Sequence, residues 1–326
     1  MKLKWIALAA LLATQAHAQS NVSIYGVMDL GYYNVSGDTS RSSGLGAGRN
    51  MTSRVGFKGT EDLGDGLQAN FVLEGDIAAD SGAGVSTPFV GWASTDNKTA
   101  SANGGFQFNR QSTVGLSGSW GSVTAGRNYT PTFLLDFAYD PFAENGVGAS
   151  LLTLTSVFFN PAGSVAHLRA SNLITYTTPA NSTGFNAMLA VAPSETASTV
   201  AKEGGVTNAK IGYAKGPLMA DVAWGKTKLA ATDDITTTSF GTAYDLGTIK
   251  PMFEYSRDTV GAAGANAKKQ GYLVGATAPV GQGQARISYS KAERSSDTTT
   301  TGNVKQLAIG YVYNLSKRTA LYGTYS

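Results

Sequence analysis

The chain has 326 residues, of which 42% are hydrophobic and only 14% are charged, whereas a soluble domain carries about 25% charged residues. Its formal net charge is +3, and it contains no cysteine and two histidines. This composition excludes a disulfide framework, nearly excludes a Cys or His metal centre, and argues against nucleic acid as a partner. We therefore predict no cofactor and no metal site.

The amino terminus carries the three-part pattern of an export signal. Lys2 and Lys4 precede an apolar run over residues 5–13, and the small-x-small motif "AHA" follows at residues 16–18. The apolar run is far shorter than the ~20 residues of a membrane-spanning helix. The sequence thus predicts a signal peptide over residues 1–18 and one domain over residues 19–326.

Beyond this signal, side-chain character alternates with period two, which predicts β-strands with two unlike faces. In "TSRVGFKGTEDLGDG", Arg54 and Lys58 share one face, and Val55 and Phe57 share the other. About fifteen such segments of roughly ten residues are present, long enough for tilted bilayer-spanning strands. They begin near residues 22, 50, 66, 107, 120, 171, 184, 206, 217, 236, 247, 270, 283, 303 and 317.

The connections between these segments alternate between short and long. "EDLGDG" and "PVGQGQ" are short, whereas "NVSGDTSRSSGLGAG" and the stretch over residues 129–170 are long. An up-and-down barrel in the outer membrane has this asymmetry, with short periplasmic turns and long external loops. We therefore predict an all-β transmembrane antiparallel barrel with an apolar exterior and a water-filled lumen. A soluble sandwich or propeller would explain neither the low charge content nor the alternation of connections.

Several motifs resemble those of Gram-negative general porins, specifically the outer-membrane porins of β-proteobacteria. They include "SRVGFKGTEDLGDGLQANFVLEGD", "STVGLSGSWGSVTAGRNYTP" and "IGYVYNLSKRTALYGTYS". The resemblance implies a sixteen-stranded barrel, a homotrimer and passive diffusion of small hydrophilic solutes and ions. Because family members end on a strand with a terminal aromatic residue, we expect the last strand to be missing from this sequence, which stops at "LYGTYS".

The longest segment without clean alternation, residues 128–170, is long enough to be functional. The resemblance makes it the third external loop, folded into the barrel so that it narrows the pore. We expect its aromatic residues to pack against the wall, namely Tyr129, Phe133, Phe137, Tyr139 and Phe142. We expect its acidic residues to face the lumen, namely Asp136, Asp140 and Glu144.

The opposite wall is predicted to be basic, formed by Arg54, Lys58, Arg110, Arg127 and Arg169. Arg54, Arg110 and Arg169 match constriction arginines of the family. Strict alternation would turn Arg110 toward lipid with Val114 and Leu116, so its place in the lumen requires an irregular strand start. Arginines on one wall and carboxylates on the loop would produce an electric field across the pore. The excess of arginines over carboxylates predicts weak anion selectivity.

Other functions remain open at this stage. A substrate-specific channel is not separated from a general pore, and an adhesin could act through the long loops. A barrel enzyme would need a catalytic constellation, and His167 is the one histidine outside the signal peptide, so we predict no enzyme activity. The predicted surroundings are the outer membrane of a Gram-negative bacterium, including its lipid bilayer and lipopolysaccharide.

Overall fold

The structure is a computed structural model that describes residues 21–38, 41–84, 105–152, 168–194, 204–228, 234–260, 267–296 and 299–326. The predicted signal peptide and His167 lie outside these ranges, as do parts of the long connections. In the part of the chain that is described, no helix is long and apolar enough to cross a bilayer.

The described residues contain seventeen β-strands. They are β1 (Asn21–Val27), β2 (Leu30–Ser36), β3 (Arg41–Ala47), β4 (Arg54–Gly64), β5 (Leu67–Asp76), β6 (Gln111–Gly118), β7 (Gly121–Tyr129), β8 (Arg169–Thr177), β9 (Phe185–Ala192), β10 (Val206–Lys215), β11 (Leu218–Lys228), β12 (Asp234–Tyr244), β13 (Lys250–Val260), β14 (Ala267–Val280), β15 (Gly283–Ser296), β16 (Thr299–Asn314) and β17 (Ala320–Tyr325).

Fifteen of these strands form one sheet in the order β1, β4, β5 and then consecutively to β17, while β2 and β3 form a separate hairpin. Each strand of the large sheet pairs antiparallel with its neighbours, as in β11 with β12 and β14 with β15. The predicted all-β antiparallel meander is therefore confirmed, and each strand begins within four residues of its predicted start.

The hairpin of β2 and β3 corrects one prediction. Within residues 34–48, expected to form a loop, residues 34–36 complete β2 and residues 41–47 form β3, and Tyr32 lies opposite Leu45. The sequence of β3, "RSSGLGA", is poor in residues that favour strands, so propensity alone did not predict it. β3 forms because the alternating segment "LGYYNVS" of β2 pairs with it and supplies its backbone hydrogen-bond partners.

The two faces of the sheet have unlike exposure. Large apolar side chains are exposed on one face, such as Ile24 at 73%, Val222 at 52% and Leu307 at 54%. Small polar side chains on the other face, such as Ser239 and Ser256, are fully buried. This is the reverse of a soluble sheet and indicates that the apolar face meets lipid. We call the exposed apolar side the outer face and the other side the inner face.

Helix α1 (Pro131–Tyr139) follows β7 and is specified by its first residues. Thr130 occupies the N-cap position, where its side chain accepts a hydrogen bond from the Phe133 N–H at 3.2 Å. Pro131 follows at the first helical position. A proline is tolerated there because the N–H groups of the first turn have no acceptor within the helix. The helix ends before Asp140.

α1 and the residues after it lie on the inner face. Leu135 and Tyr139 pack against Ala223, Ala243 and Met252 of β11, β12 and β13. The two edges of the sheet also approach each other. The Tyr322 hydroxyl on β17, at one edge, donates a hydrogen bond to the carboxylate of Asp29, two residues after β1 at the other edge. The segment after β7 is therefore enclosed by the curved sheet.

Candidate functional site

Arg110 is the centre of a charged cluster on the inner face. Its Nε donates to Glu74 Oε1 at 2.6 Å, its Nη1 to Asp76 Oδ1 at 2.9 Å and its Nη2 to the Tyr129 hydroxyl at 2.5 Å. Arg110 precedes β6 at a bend, so the alternation of β6 does not apply to it. It therefore joins the inner face although Val114 and Leu116 of β6 are exposed on the outer face.

Arg54 and Lys58 of β4 lie on the same face as this cluster. Arg54 Nε is 3.4 Å from Glu74 Oε2, and its side chain is 22% exposed, compared with 9% for that of Arg110. Lys58 is exposed, and its Nζ lies 5.3 Å from the centroid of the Tyr25 ring. Arg54 and Lys58 are therefore the cations of β4 on the inner face, and both side chains retain some exposure.

Tyr129 connects the cluster to the loop. Its hydroxyl accepts hydrogen bonds from Arg110 and from Arg169 Nη2, the latter at 2.9 Å. The Arg169 guanidinium lies over the Tyr129 ring, 4.4 Å from its centroid, and the ring stacks on Phe133 of α1. A guanidinium over an aromatic face is held by cation–π attraction. Tyr129 thus positions two arginines at once.

Arg127 lies where the pairing of β7 and β8 shifts register. Its Nε donates to the Asn109 carbonyl at 2.6 Å and its Nη1 to Ser171 Oγ at 3.1 Å. Asn109 in turn donates to Asp76 Oδ2 at 3.1 Å. Arg127 is therefore joined to the cluster through Asn109.

Glu74 and Asp76 were missed by the sequence analysis, although they are the carboxylates that hold the arginines. Glu74 accepts from Arg110 and from the Tyr25 hydroxyl, the latter at 2.9 Å, and lies beside Arg54. The alternation of "LEGD" places both acids on the inner face, opposite Gly56 and Arg54 of β4. The pattern could have identified them, because two acids at i and i+2 share one face of a strand.

The structure corrects the prediction that Asp136 and Asp140 face the lumen. Asp136 is fully buried and Asp140 is 4% exposed. In a helix of 3.6 residues per turn, Asp136 lies beside Leu135 around the helix axis, and Leu135 packs on the wall. Asp136 is therefore on the side of α1 that is turned toward the wall. Glu144 is half-buried. Phe137 was expected to pack against the wall, but it lies on the opposite side of α1 and is 45% exposed.

Asp140 organises the turn that follows α1. Its carboxylate accepts hydrogen bonds from the N–H groups of Phe142 and Glu144, each at 2.9 Å, and of Ser150 at 3.0 Å. Burial nevertheless dominates and raises the pKa of Asp140 to about 6, partly offset by these three N–H donors. The residue thus has a structural role in the loop.

This raised pKa predicts a pH-dependent stability. Because the pKa is higher in the folded protein than its ordinary value of 3.8, the folded state binds more protons between the two values. The contribution of Asp140 to the free energy of unfolding is then largest below pH 3.8 and is lost as the pH rises through about 6, by on the order of 3 kcal/mol.

Urea unfolding from pH 3 to pH 8 measures this effect, with Asp140→Asn as the variant that cannot titrate. The free-energy difference between wild type and variant should change by about that amount across the interval. A constant difference would show that Asp140 does not carry the effect.

Three inner-face glycines accommodate the loop. A Cβ on Gly241 of β12 would lie 2.1 Å from the Tyr139 ring, and one on Gly275 of β14 would lie 2.5 Å from Pro141. A Cβ on Gly310 of β16 would lie 2.7 Å from the Phe142 ring. Any larger residue at these positions would therefore displace the loop, which crosses the wall from β12 to β16.

The far end of the loop reaches the opposite edge of the sheet. Thr52, two residues before β4, donates to Asn145 Oδ1 at 3.0 Å. Gln306 of β16 donates to the Val147 carbonyl at 2.6 Å. The far end of the loop is thus attached both to the segment before β4 and to β16.

A family profile described as Gram-negative porin matches residues 5–326. The chain belongs to the Gram-negative porin family. This porin is 37% identical to outer membrane porin protein 32 of Delftia acidovorans, over 99% of this chain and 88% of the relative. It is 29% identical to an outer membrane porin protein of Bordetella pertussis, over 98% and 92% of the two chains.

The solved anion-selective porin from Comamonas acidovorans superposes on this porin with a TM-score of 0.80. The two are 32% identical, and the match covers 94% of this chain and 87% of the other. The porin is therefore a transmembrane β-barrel of the outer membrane that forms a diffusion channel for small hydrophilic solutes. Its relatives are channels rather than enzymes.

Proposed function

We propose that this porin prefers anions weakly, because its constriction carries more arginines than carboxylates. Arg54, Arg110, Arg127 and Arg169 belong to or adjoin the cluster, in which Glu74 and Asp76 are the carboxylates among the described residues. This excess is the observation that carries the proposal. Fixed charge at a narrow aqueous gap selects ions because screening is limited there.

The loop supports the same sign of selectivity. Because Asp136 and Asp140 are buried against the wall, their charges offset the arginines less than lumen-facing carboxylates would. The loop narrows the lumen and brings permeating ions toward the arginines. The porin from Comamonas acidovorans, 32% identical, is described as anion-selective, in agreement with this sign.

The test is the reversal potential of single channels in a salt gradient. Arg54 is the arginine to change, because it is more exposed than Arg110 and its contact with Glu74 is longer. Arg54→Glu should shift the preference toward cations, and Arg54→Gln should lie between this variant and wild type. The matched control is Arg318→Glu, since Arg318 is exposed in the turn between β16 and β17.

A wild-type pore that selects cations would contradict the proposal. So would an Arg318→Glu control that shifts the reversal potential as much as Arg54→Glu, because the effect would then come from total charge rather than from the constriction. Recording at low and high salt adds a further criterion, since the selectivity should weaken as the Debye length shortens.

We also propose that the porin assembles as a homotrimer in contact with lipid and lipopolysaccharide. Membership of the porin family and the exposed apolar outer face support this assembly. Native mass spectrometry in mild detergent counts the subunits directly.

A further inference from the structure

Three aromatic side chains form a continuous series of contacts along α1, which we call the aromatic row. Tyr129 is the last residue of β7, and Phe133 and Phe137 follow at intervals of four residues. Residues four apart lie on the same side of a helix. The Tyr129 and Phe133 rings are stacked with centroids 5.4 Å apart, and the centroids of Phe133 and Phe137 are 6.2 Å apart. The row therefore runs from the end of β7 toward the end of α1.

The row ends on a ring that is open to the lumen. Leu135 and Tyr139 hold α1 on the wall and are fully buried. With 3.6 residues per turn, Phe137 points about 160° away from Leu135 around the helix axis. Phe133 is 6% exposed, whereas Phe137 is 45% exposed, and α1 is enclosed by the curved sheet. The Phe137 ring therefore offers an apolar face to solutes inside the barrel.

The other end of the row carries positive charge. The Arg169 guanidinium lies 4.4 Å from the centroid of the Tyr129 ring, and that of Arg110 lies 5.9 Å from it. Arg110 donates to Glu74, Asp76 and Tyr129. Arg169 Nε, by contrast, has no acceptor among the described residues, so this arginine is less fully paired than Arg110. Positive charge and an exposed ring are thus joined by one series of contacts.

These two features match one class of solute. A chloride ion or an aliphatic carboxylate would use only the positive charge, and a neutral aromatic molecule would use only the ring. An aromatic carboxylate combines a flat ring with an anionic group and would use both. Paired aromatic rings attract each other beyond the effect of buried area, by an amount equal to about a 2- to 12-fold change in affinity.

We propose that the aromatic row binds aromatic carboxylates as they pass through the pore, with the solute ring on Phe137 and the carboxylate directed toward the arginines. The binding is weak, because a permeating solute must leave the site again. The attraction of the carboxylate rests on the proposed anion preference, whereas the preference for a ring rests on Phe137. The porin thus favours benzoate-like acids over aliphatic acids of the same size.

The test is a titration of the single-channel chloride current with benzoate and with cyclohexanecarboxylate. The two acids are close in size and carry the same charge, so they differ chiefly in the aromatic ring. In wild type, benzoate should halve the current at a concentration about 2- to 12-fold lower than cyclohexanecarboxylate does. Phe137→Leu keeps an apolar side chain but removes the ring, and it should bring the two concentrations together.

Two further variants separate the ring from general effects. Phe185→Leu is the matched control, because Phe185 on β9 is 60% exposed on the outer face, and it should retain the wild-type difference between the two acids. Phe137→Trp restores an aromatic face and should also retain that difference. The chloride conductance of each variant without added acid reports whether the pore is folded.

Neutral solutes test the part played by charge. Benzamide has nearly the shape of benzoate without its charge and should reduce the current more weakly than benzoate. Glucose should also reduce the current more weakly. The proposal is overturned if wild type does not distinguish benzoate from cyclohexanecarboxylate, if Phe137→Leu keeps the difference, or if benzamide or glucose binds as well as benzoate.

The outcome is separable from that of the proposed ion preference. Phe137→Leu changes no charge, so the reversal potential in a chloride gradient should remain that of wild type. An anion-selective pore that treats benzoate and cyclohexanecarboxylate alike rejects the role of the aromatic row alone. A wild-type pore that selects cations rejects the proposed anion preference and, with it, the attraction of the carboxylate.

Discussion

Glu74→Gln is expected to increase the anion preference of the porin about threefold at low salt. Glu74 accepts from Arg110 and Tyr25 and lies beside Arg54, so it neutralises charge at the centre of the arginine cluster. A unit charge about 6 Å from the path of an ion contributes about 0.7 kcal/mol in water, roughly a threefold change in permeability ratio. Arg110 keeps Asp76 and Tyr129 as partners, so its position should persist.

The measurement is again the reversal potential, with Glu61→Gln as the matched control. Glu61 lies on the same strand as Arg54 but is exposed on the face opposite to that of Arg54 and Lys58. The control removes the same charge and should leave selectivity near wild type. If both variants shift the reversal potential equally, Glu74 has no special role in the constriction.

The second large effect is expected from Gly241→Val on β12. Its new Cβ would lie 2.1 Å from the Tyr139 ring. That ring is fully buried, and its hydroxyl donates to Asp221 Oδ2 at 2.7 Å, so it cannot move without breaking this contact. Overpacking of this kind costs about 1–3 kcal/mol. The expected result is detachment of α1 from the wall while the strands remain paired.

Limited proteolysis by chymotrypsin measures this detachment. Cleavage after Phe133, Phe137 or Tyr139 should be about 5- to 150-fold faster in the variant, because cleavage follows the population of the open form. The matched control is Gly323→Val on β17, where a Cβ would meet nothing within 4 Å. Equal cleavage rates in the two variants would show that α1 does not depend on the space at Gly241.

The sequence predicts the strands well because alternation is a local property. The unlike faces of β4, with Arg54 and Lys58 against Val55 and Phe57, follow directly from a period of two. Glu74 and Asp76 obey the same rule on β5, so their place on the inner face could have been predicted from the alternation of that strand.

The loop could not be predicted to the same degree, because distant residues position it. "TPTFLLDFAY" contains the N-cap and proline signals of a helix, yet which of its faces meets the wall depends on β11 to β13, about a hundred residues later. Asp136 and Asp140 are buried for that reason. Arg110 likewise departs from the alternation of β6. Its side chain is held on the inner face by Glu74 and Asp76, which are more than thirty residues earlier and so are not visible in the local pattern.

The long reach of the loop has a consequence for the order of folding. Leu151 donates its N–H to Ser290, 139 residues later, and the Val147 carbonyl accepts from Gln306, 159 residues later. Such contacts cannot form until β15 and β16 have joined the sheet, since closure of long chain segments is slow. We therefore expect the contacts between the loop and the wall to form only after most of the strands have paired.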